Sequence, residues 1–416
     1  MSSLRKLFIK RKNKFLRSYE KVSFNFFLNS QTKAKRQQII TNAENALAHS
    51  HEIENEQAYL ESCDPLVQQG FMLRNNVCRR FKNRYAEDVQ GGVLSERILV
   101  HIPSAESSPA GYSIFSNLVE TFNFLSIPTA SIDWHSDTAR VLHNFQPTLL
   151  LTSDHHSYLD RLDWYSISEY RQHQTLQVGL TASLEEYENT PLVQRLKWAK
   201  EHRVDFFYSF RDEDYVRNRK EYQPYFEEKY SVLFLPFSAN VLHYYPVPGF
   251  ERDLNFALMA SRKREHIQCL KKITRHYSGF IDGPGWNHIS DFQFNRDRDR
   301  FIYARAKVGL NIHLPEQIEW ACELNERTYQ LAACGVPQLI DRPKLLEKVF
   351  SPGSLFIADT PSEFFRLFQE LLTHPRMGQI AALKAQEEVF TKYTSFHRAA
   401  SFIDQLSHSV TRKQVI

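Results

Sequence analysis

Short apolar runs alternate with amphipathic stretches along most of this chain. Between residues 97 and 236, runs typical of buried strands are followed by polar loops and by stretches with apolar residues at helical spacing. The Pro- and Gly-containing segment 244–249 interrupts this alternation, which begins again at residue 254 and continues to residue 341. Strands that alternate with helices favour parallel, doubly wound sheets. The pattern therefore predicts an α/β protein with two Rossmann-like domains that face a cleft.

Four parts of the chain follow from this pattern. We expect a basic, helical N-terminal extension (residues 1–92), an N-terminal Rossmann-like domain (93–245), a C-terminal Rossmann-like domain (250–395) and a final helix (396–416) that packs back toward the first domain. Parallel sheets bind ligands at the carboxyl ends of their strands. A cleft between two such sheets can bind two substrates, one on each wall.

The segment 300–341 contains one complete strand, loop, helix and strand unit. Residues 308–312 form an apolar run, and residues 325–334 carry apolar or small side chains at helical spacing before the helix ends at Gly335. Residues 336–341 are the second strand. We therefore expect ligand chemistry in the loop before this helix and in its first turn.

Positive charge is concentrated at the N-terminus. Residues 1–36 contain eleven Lys or Arg and one acidic residue, Glu20, whereas the whole chain has a net charge of only +4. Apolar residues such as Leu4, Leu7 and Phe8 are interleaved with these cations, so the segment is predicted either to lie on an anionic membrane surface or to be a solvated tail. Nucleic-acid binding is the less favoured third possibility, because the rest of the chain is acidic overall.

The composition argues against several classes of protein. No apolar run approaches the roughly 20 residues of a membrane-spanning helix, and we expect no secretory signal at the N-terminus. The five cysteines lack CxxC spacing, which indicates neither a zinc site nor a disulfide framework. Asp297 and Asp299 lie within the run 296–300, which we interpret as alternating charge on a helix face, and we expect no required metal. These features predict a cytoplasmic protein, either free or at the inner face of the membrane.

Several motifs of the second half of the chain stand in a fixed order. They are Ala260-Ser261-Arg262, Gly283-Pro284-Gly285-Trp286, the run 308–313, the segment 325–337 (NERTYQLAACGVP) and the closing segment 393–398 (YTSFHR). From about residue 254 to residue 406, this ordered set resembles the group 1 two-domain (GT-B) glycosyltransferases, and most of all their spore-maturation-protein branch.

The resemblance implies a glycosyltransferase of GT-B fold. In that family the C-terminal domain holds a nucleotide-diphosphate sugar, which is a co-substrate and not a cofactor, and the N-terminal domain holds the acceptor. The acceptor would be a polysaccharide, a lipid-linked glycan or a protein. Diphosphate binding needs N–H groups at helix N-termini and cations. The implied donor-binding residues are Ser261, Arg262, Lys263, Gly285, Trp286, His313, Glu326, Arg327, Thr328 and Gln330.

Some of these residues also have a purely structural interpretation. The cations at 262–264 fit a solvated face, Trp286 fits a packed core, and Glu326 fits a helix N-terminus, where the dipole favours a carboxylate.

The motif departs from the family at Gln330. The family usually has Glu at this position, and its carboxylate accepts hydrogen bonds from the ribose hydroxyls. Gln accepts through its carbonyl but brings no charge. Two alternatives therefore stay open, namely a non-catalytic nucleotide-sugar or glycan-binding protein of the same fold and a sugar-nucleotide epimerase-like enzyme. The sugar, the base and the stereochemical course also stay open.

A polar cluster follows the predicted strand 148–152. Asp154 and His155 are the predicted catalytic residues, since an inverting transfer needs a base that deprotonates the acceptor hydroxyl. The weaker, second choices are His101, at the end of the first strand, and Asp133-Trp134-His135, after the second. A retaining transfer would instead rely on donor phosphate and backbone groups near the departing bond.

Overall fold

A computed structural model of the protein describes residues 33–49, 64–91, 95–184, 190–286, 289 and 292–413. It contains two parallel sheets, one of six strands and one of five. The predicted α/β fold class is therefore confirmed. The predicted basic segment, residues 1–36, lies outside the described residues except for its last four positions.

The N-terminal extension forms two helices, α1 (Lys33–His49) and α2 (Pro65–Gln90). Both pack against the second half of the chain, as set out below. Residues 50–63, which connect the two helices, lie outside the described residues.

The first domain follows the extension. Its strands are β1 (Ile98–Ile102), β2 (Thr129–Asp133), β3 (Leu149–Thr152), β4 (Gln177–Thr181), β5 (Phe206–Ser209) and β6 (Ser231–Phe234). Its helices are α3 (Pro109–Phe124), α4 (Thr138–Phe145), α5 (His156–Leu159), α6 (Trp164–His173), α7 (Leu192–Glu201), α8 (Glu213–Asn218) and α9 (Gln223–Glu227). The strand order is β2-β1-β3-β4-β5-β6, and every neighbouring pair is parallel.

Burial on both faces explains the composition of these strands. Every residue of β1, β3 and β5 is buried, because helices cover both faces of a parallel sheet. The first helix after β1 begins where its sequence dictates. Ser108 caps α3 by accepting the N–H of Gly111, and Pro109 occupies the first helical position, where a missing N–H costs nothing.

The second domain has a smaller sheet. Its strands are β7 (Ala257–Met259), β8 (Phe280–Asp282), β9 (Gly309–Asn311), β10 (Gln338–Ile340) and β11 (Phe356–Ile357). Its helices are α10 (Arg264–His276), α11 (Arg296–Arg305), α12 (Pro315–Trp320), α13 (Glu326–Ala333), α14 (Leu346–Val349), α15 (Pro361–Thr373) and α16 (Pro375–Lys392). The order is β11-β10-β9-β7-β8, again all parallel. In the extension, α2 packs along α16, and α1 packs along α11.

The last helix, α17 (Ser395–Lys413), returns to the first domain and packs on α3 and β6. Phe402 is fully buried against the rings of Phe122 and Phe206. The side chain of Gln405 accepts the N–H of Phe234 at 2.8 Å and donates to its carbonyl at 3.0 Å. These bonds cover the open edge of the first sheet, where unpaired backbone groups would otherwise remain.

The charged run 296–300 is not a solvated face. It does alternate along α11, but Arg298 is 2% exposed, Asp299 8% and Arg300 4%. Arg298 donates to Asp299 at 2.8 Å. Burial raises the pKa of Asp299 to about 6, although the adjacent Arg298 opposes this shift. The run therefore alternates in charge on a helix, as predicted, but α1 and the backbone at His243 cover that helix.

A partly buried polar network joins the two domains beside the linker, residues 244–249. His243, just before this linker, contacts Glu120 of α3 through Nε2 at 2.7 Å and Asp297 of α11 through Nδ1 at 3.0 Å. Arg296 donates to Glu120 at 2.5 Å, and Asn240 donates to the same carboxylate at 2.9 Å. Since both ring nitrogens of His243 face carboxylates, both act as donors only in the imidazolium form.

In the described part of the chain, no helix combines the length and the apolar character that crossing a membrane would need.

The network predicts a pH dependence of stability. Burial lowers the pKa of His243, but its hydrogen bonds to Asp297 and Glu120 outweigh burial and the net shift is upward. A raised folded-state pKa contributes stability that is fully present below about pH 6.5 and is lost as the pH rises through the folded value. We expect His243→Gln to cost about 2 kcal/mol at pH 6 and progressively less toward pH 9, as measured by urea unfolding.

His143 supplies the control, because its side chain on α4 is exposed to solvent. His143→Gln should leave the unfolding free energy unchanged across this range. A His243→Gln curve parallel to that of the wild type would contradict the role of the imidazolium.

Candidate active site

The carboxyl ends of the two sheets meet across the cleft at α3 and α13. Asn117 of α3 donates to Glu326, the first residue of α13, at 3.4 Å, and Ser113 lies one turn earlier on α3 and also bonds this carboxyl. Burial raises the pKa of Glu326 to about 7, against the opposing effect of Arg296. Glu326 therefore faces the other domain, whereas the cap of α13 is Asn325, which accepts the N–H of Thr328.

Beside this contact lies a cavity of about 170 Å³ between the domains. Its lining includes Asp212 and Phe237 from the first domain and Tyr329, Lys348 and Arg398 from the C-terminal part of the chain.

The first polar loop of the second domain follows β7 and leads into α10. Ser261 and Lys263 are exposed, and Arg262 is half-buried. Lys263 is the cap residue of α10 and makes no side-chain capping bond, so the N–H groups of the first turn receive no cap from it. An uncapped helix N-terminus flanked by cations is a favourable site for a phosphate group.

The loop after β8 lies directly against this one. The backbone N–H of Arg262 donates to the carbonyl of Pro284 at 2.8 Å. Gly283 has φ +138°, and a Cβ there would lie 2.3 Å from the carbonyl oxygen of Ala260, so only glycine fits. Gly285, with φ +81°, is exposed beside Arg262. The two loops thus form one surface at the carboxyl end of the sheet.

Trp286 does not face this surface. It is 1% exposed, its Nε1 donates to the carbonyl of Ala260 at 2.7 Å, and its ring stacks on His266. A ring buried in this way is part of the core and cannot stack on a nucleotide base. Of the two interpretations of Trp286, the geometry fits core packing and not donor contact.

Two further predicted donor residues, His313 and Thr328, are buried beneath the site. His313 is 1% exposed; its Nδ1 lies 2.6 Å from Asp341, and its Nε2 lies 3.3 Å from the hydroxyl of Thr328. Thr328 is fully buried and also accepts from Asn311 at 2.8 Å. These bonds join the ends of β9 and β10 to α13. His313 and Thr328 therefore position this helix relative to the sheet.

The remaining residues of α13 lie closer to the cleft. The guanidinium of Arg327 donates to the carbonyl of Met259 at 2.9 Å and to Asn311 at 3.3 Å, which places a cation at the ends of β7 and β9. Gln330 is half-buried one turn beyond Glu326. A cavity of about 350 Å³ opens at the carboxyl ends of β9, β10 and β11, bordered by Gln268, His313, Asp341 and Asp359 among others.

Asp154 is occupied by a structural ion pair. Its carboxylate accepts from Arg195 at 2.5 Å, from the hydroxyls of Thr181 and Ser183 at 2.6 and 2.7 Å, and from the N–H of Ser183 at 3.2 Å. It is 4% exposed. A carboxylate with both oxygens engaged in this way is a poor general base, so the geometry speaks against the predicted catalytic role.

His155 caps the short helix α5. Its Nδ1 accepts the N–H of Ser157 and lies 2.6 Å from the Ser157 hydroxyl, while its ring stacks on His156. Burial lowers the pKa of His155, and the neighbouring His156 lowers it further. Its Nδ1 therefore takes part in the hydrogen bonds of the local turn.

His101, the second choice, lies in a different environment. It is fully buried at the end of β1; its Nδ1 is 3.0 Å from Thr152, and within the described part of the chain its Nε2 has no hydrogen-bond partner. Burial lowers the pKa of His101 to about 4, so the ring is neutral at pH 7. The rings of Tyr158 and Trp134 enclose this corner.

Sequence reasoning did not find the polar face of α3. Ser113, Asn117 and Glu120 stand at helical spacing on α3, and between them they contact Glu326, Arg296 and His243. A polar stripe on the buried side of a helix was the signal that could have revealed this interface.

Comparisons with known proteins place this geometry in context. Residues 262–404 match the family model described as glycosyl transferase-like. The matched residues include most of the second domain and the first part of α17. This match bears out the prediction of a glycosyltransferase for the domain that carries the donor motifs.

Two solved structures are similar to this chain over about three quarters of its length. Anabaena Alr3699/HepE in complex with UDP-glucose is similar over 76% of this chain and 100% of its own length, with a TM-score of 0.51 and 10% identity. T4 phage BGT in complex with UDP-glucose is similar over 75% of this chain and 99% of its own length, with a TM-score of 0.48 and 11% identity. No curated protein sequence matches the chain. The likeness to HepE shows the fold, and the predicted GT-B architecture is confirmed.

The ion pair of Asp154 predicts a loss of stability. Because Asp154→Ala leaves Arg195 buried without its carboxylate, we expect the free energy of unfolding to fall by about 3–5 kcal/mol, as measured by urea denaturation. The exposed pair Lys197 and Glu201 on the same helix is the control, and Glu201→Ala should change stability by less than about 1 kcal/mol. An Asp154→Ala protein of normal stability but without turnover would instead establish Asp154 as a catalytic residue.

Proposed function

We propose that the protein transfers a sugar from a nucleotide-diphosphate donor, held by the second domain, to an acceptor held by the first. The observation that carries this proposal is the uncapped N-terminus of α10 beside Arg262 and Lys263, facing the glycine loop 283–285. This surface provides backbone N–H groups and positive charge together, which a diphosphate requires. It lies almost entirely within the part of the chain that matches the glycosyl transferase-like model.

The donor would span from this surface toward α13. Ser261, Arg262 and Lys263 would bind the diphosphate, with the guanidinium of Arg327 nearby at the ends of β7 and β9. Gln330 would accept from the ribose hydroxyls through its carbonyl. HepE, which shares the fold, was solved with UDP-glucose. UDP-glucose is therefore the first donor to test, and no metal is required in this proposal.

On the acceptor side we assign the proton-accepting group to His101 and not to Asp154. His101 is neutral at pH 7 and keeps Nε2 without a partner among the described residues, whereas both oxygens of Asp154 are engaged. A neutral imidazole with one open nitrogen is the form that accepts a proton from a hydroxyl. The acceptor hydroxyl would reach Nε2 only after the rings of Trp134 and Tyr158, which enclose the fully buried imidazole, move aside.

The finer parts of the proposal rest on the sequence motifs. The segment 325–337 supports the spore-maturation-protein branch and a role in polysaccharide biosynthesis, with a polysaccharide, lipid-linked or protein acceptor. The basic segment 1–36 supports attachment to an anionic membrane surface on the cytoplasmic side.

A second candidate is a non-catalytic nucleotide-sugar-binding protein of the same fold. Gln330, in place of the usual Glu, is the observation that favours it. An epimerase-like enzyme is distinguished by its products, since release of free nucleoside diphosphate only in the presence of an acceptor would exclude it.

The donor site predicts selective stabilisation by a nucleotide. In a thermal-unfolding panel of uridine, guanosine, adenosine and thymidine diphosphates and their sugar conjugates, one base should stabilise the protein by about 2.7 kcal/mol at roughly 100 times its dissociation constant. Arg262→Ala should weaken that ligand at least about tenfold, because it removes a charge-assisted hydrogen bond. Lys272→Ala, on the same helix but away from its N-terminus, is the control. Equal losses in both variants would refute the assigned site.

The proposed contact between Gln330 and the ribose predicts that a carboxylate at this position binds the nucleotide more tightly. Gln330→Glu should strengthen binding of the preferred nucleotide about tenfold, since a carboxylate accepts from a hydroxyl more strongly than an amide does. The same nucleotide with a 2′,3′-dideoxyribose should bind both proteins equally in a calorimetric titration. No change with the ribonucleotide, together with no turnover of any donor, would favour the non-catalytic candidate.

A further inference from the structure

Asp282, the last residue of β8, is the meeting point of two helices from different parts of the chain. Its carboxylate is 1% exposed. One oxygen accepts from Arg36 of α1 at 2.9 Å and from the N–H of Gly283 at 3.0 Å, and the other accepts from Arg298 of α11 at 3.3 Å. The N-terminal extension thus reaches the end of a strand more than two hundred residues away.

The contact from α1 is a buried ion pair. Arg36 is 5% exposed, and α1 packs along α11 so that this side chain enters the second domain. A buried charge is tolerated only when it is paired and hydrogen-bonded. Without Arg36, the oxygen of Asp282 that faces α1 would lose its cation, while Arg298 would remain on the other oxygen at 3.3 Å. Docking of α1 and the position of the Asp282 carboxylate therefore depend on each other.

The carboxylate of Asp282 in turn orients the glycine loop. By accepting the N–H of Gly283, it holds the backbone where φ is +138° and where the loop touches Ala260. The next residue, Pro284, accepts the N–H of Arg262. Only one residue therefore separates the ion pair from the bond that joins the two loops of the proposed diphosphate surface.

We propose that Arg36 is a positioning residue of the donor site, which acts through Asp282 on the loop 283–285 and makes donor affinity depend on the docking of α1. This inference rests on the proposed function for the identity of the ligand. It adds the N-terminal extension to the donor half of the protein, although no residue of that extension lies within the matched family region. Because coupling is reciprocal, donor binding must also stabilise the docked position of α1.

The test compares three variants of the full chain. Arg36→Met should raise the dissociation constant of UDP about tenfold, and in turnover assays should raise the donor KM while kcat is largely retained. Arg36→Lys should give an intermediate loss, because Lys keeps the charge but not the planar fork. Gln37→Ala, at the exposed neighbouring position, should bind as the wild type does. Equal UDP affinity in a folded Arg36→Met protein and the wild type would overturn the inference.

Hydrogen exchange separates positioning from general loss of stability. Without nucleotide, Arg36→Met should exchange faster than wild type in the segment 282–286, with little change in α6 of the first domain. With UDP, residues 33–49 of the wild type should become more protected. Unchanged exchange at 282–286 in Arg36→Met would overturn the inference.

Two further results keep the test decisive. If Arg36→Met folds poorly, the double variant Arg36→Met/Asp282→Asn, which removes both charges of the pair, should recover stability and still show fast exchange at 282–286. If the wild type binds no nucleotide at all, the proposed function fails, and the exchange of segment 282–286 alone decides the role of Arg36.

Discussion

The buried carboxylate of Asp282 joins α1 and α11 to the end of β8. An ionised carboxylate in the interior costs several kcal/mol unless it is paired, so the end of β8 can be buried only if cations are brought to it. Arg298 of α11 and Arg36 of α1 supply these cations. The N-terminal extension is therefore part of the second domain in energetic terms, although it lies far from that domain along the chain.

The same constraint governs the contact between the two domains. Glu120, His243, Asp297 and Arg296 are charged groups that lie between α3, the linker and α11, and each has a partner of opposite charge. Two packed apolar surfaces can shift relative to each other and stay in contact, whereas hydrogen bonds between charged groups form only at particular distances and angles. The network thus defines the relative orientation of the sheets, and the width of the cleft between Asn117 and Glu326 follows from it.

Sequence periodicity located most elements because it reports local properties. The helices α13 and α17 and the strands β9 and β10 lie where their patterns predict, whereas the two-residue strand β11 is too short to show a period. For the candidate site, sequence order placed Ser261, Arg262 and Gly285 correctly on loops at the carboxyl end of the sheet. It could not show that Trp286 turns inward to bond Ala260, since inward and outward rotamers share the same sequence.

The sequence by itself determined the fold class, the two-domain order and the loops that carry the donor motifs, because hydrophobic period, glycine positions and helix caps act over a few residues. Only the tertiary structure decided which polar side chains are free to act. Asp154 forms a structural ion pair with Arg195, forty-one residues away. Arg36 contacts the donor half of the protein through its ion pair with Asp282. Partners at such separations are chosen by packing, and the role of a charged residue depends on its partner.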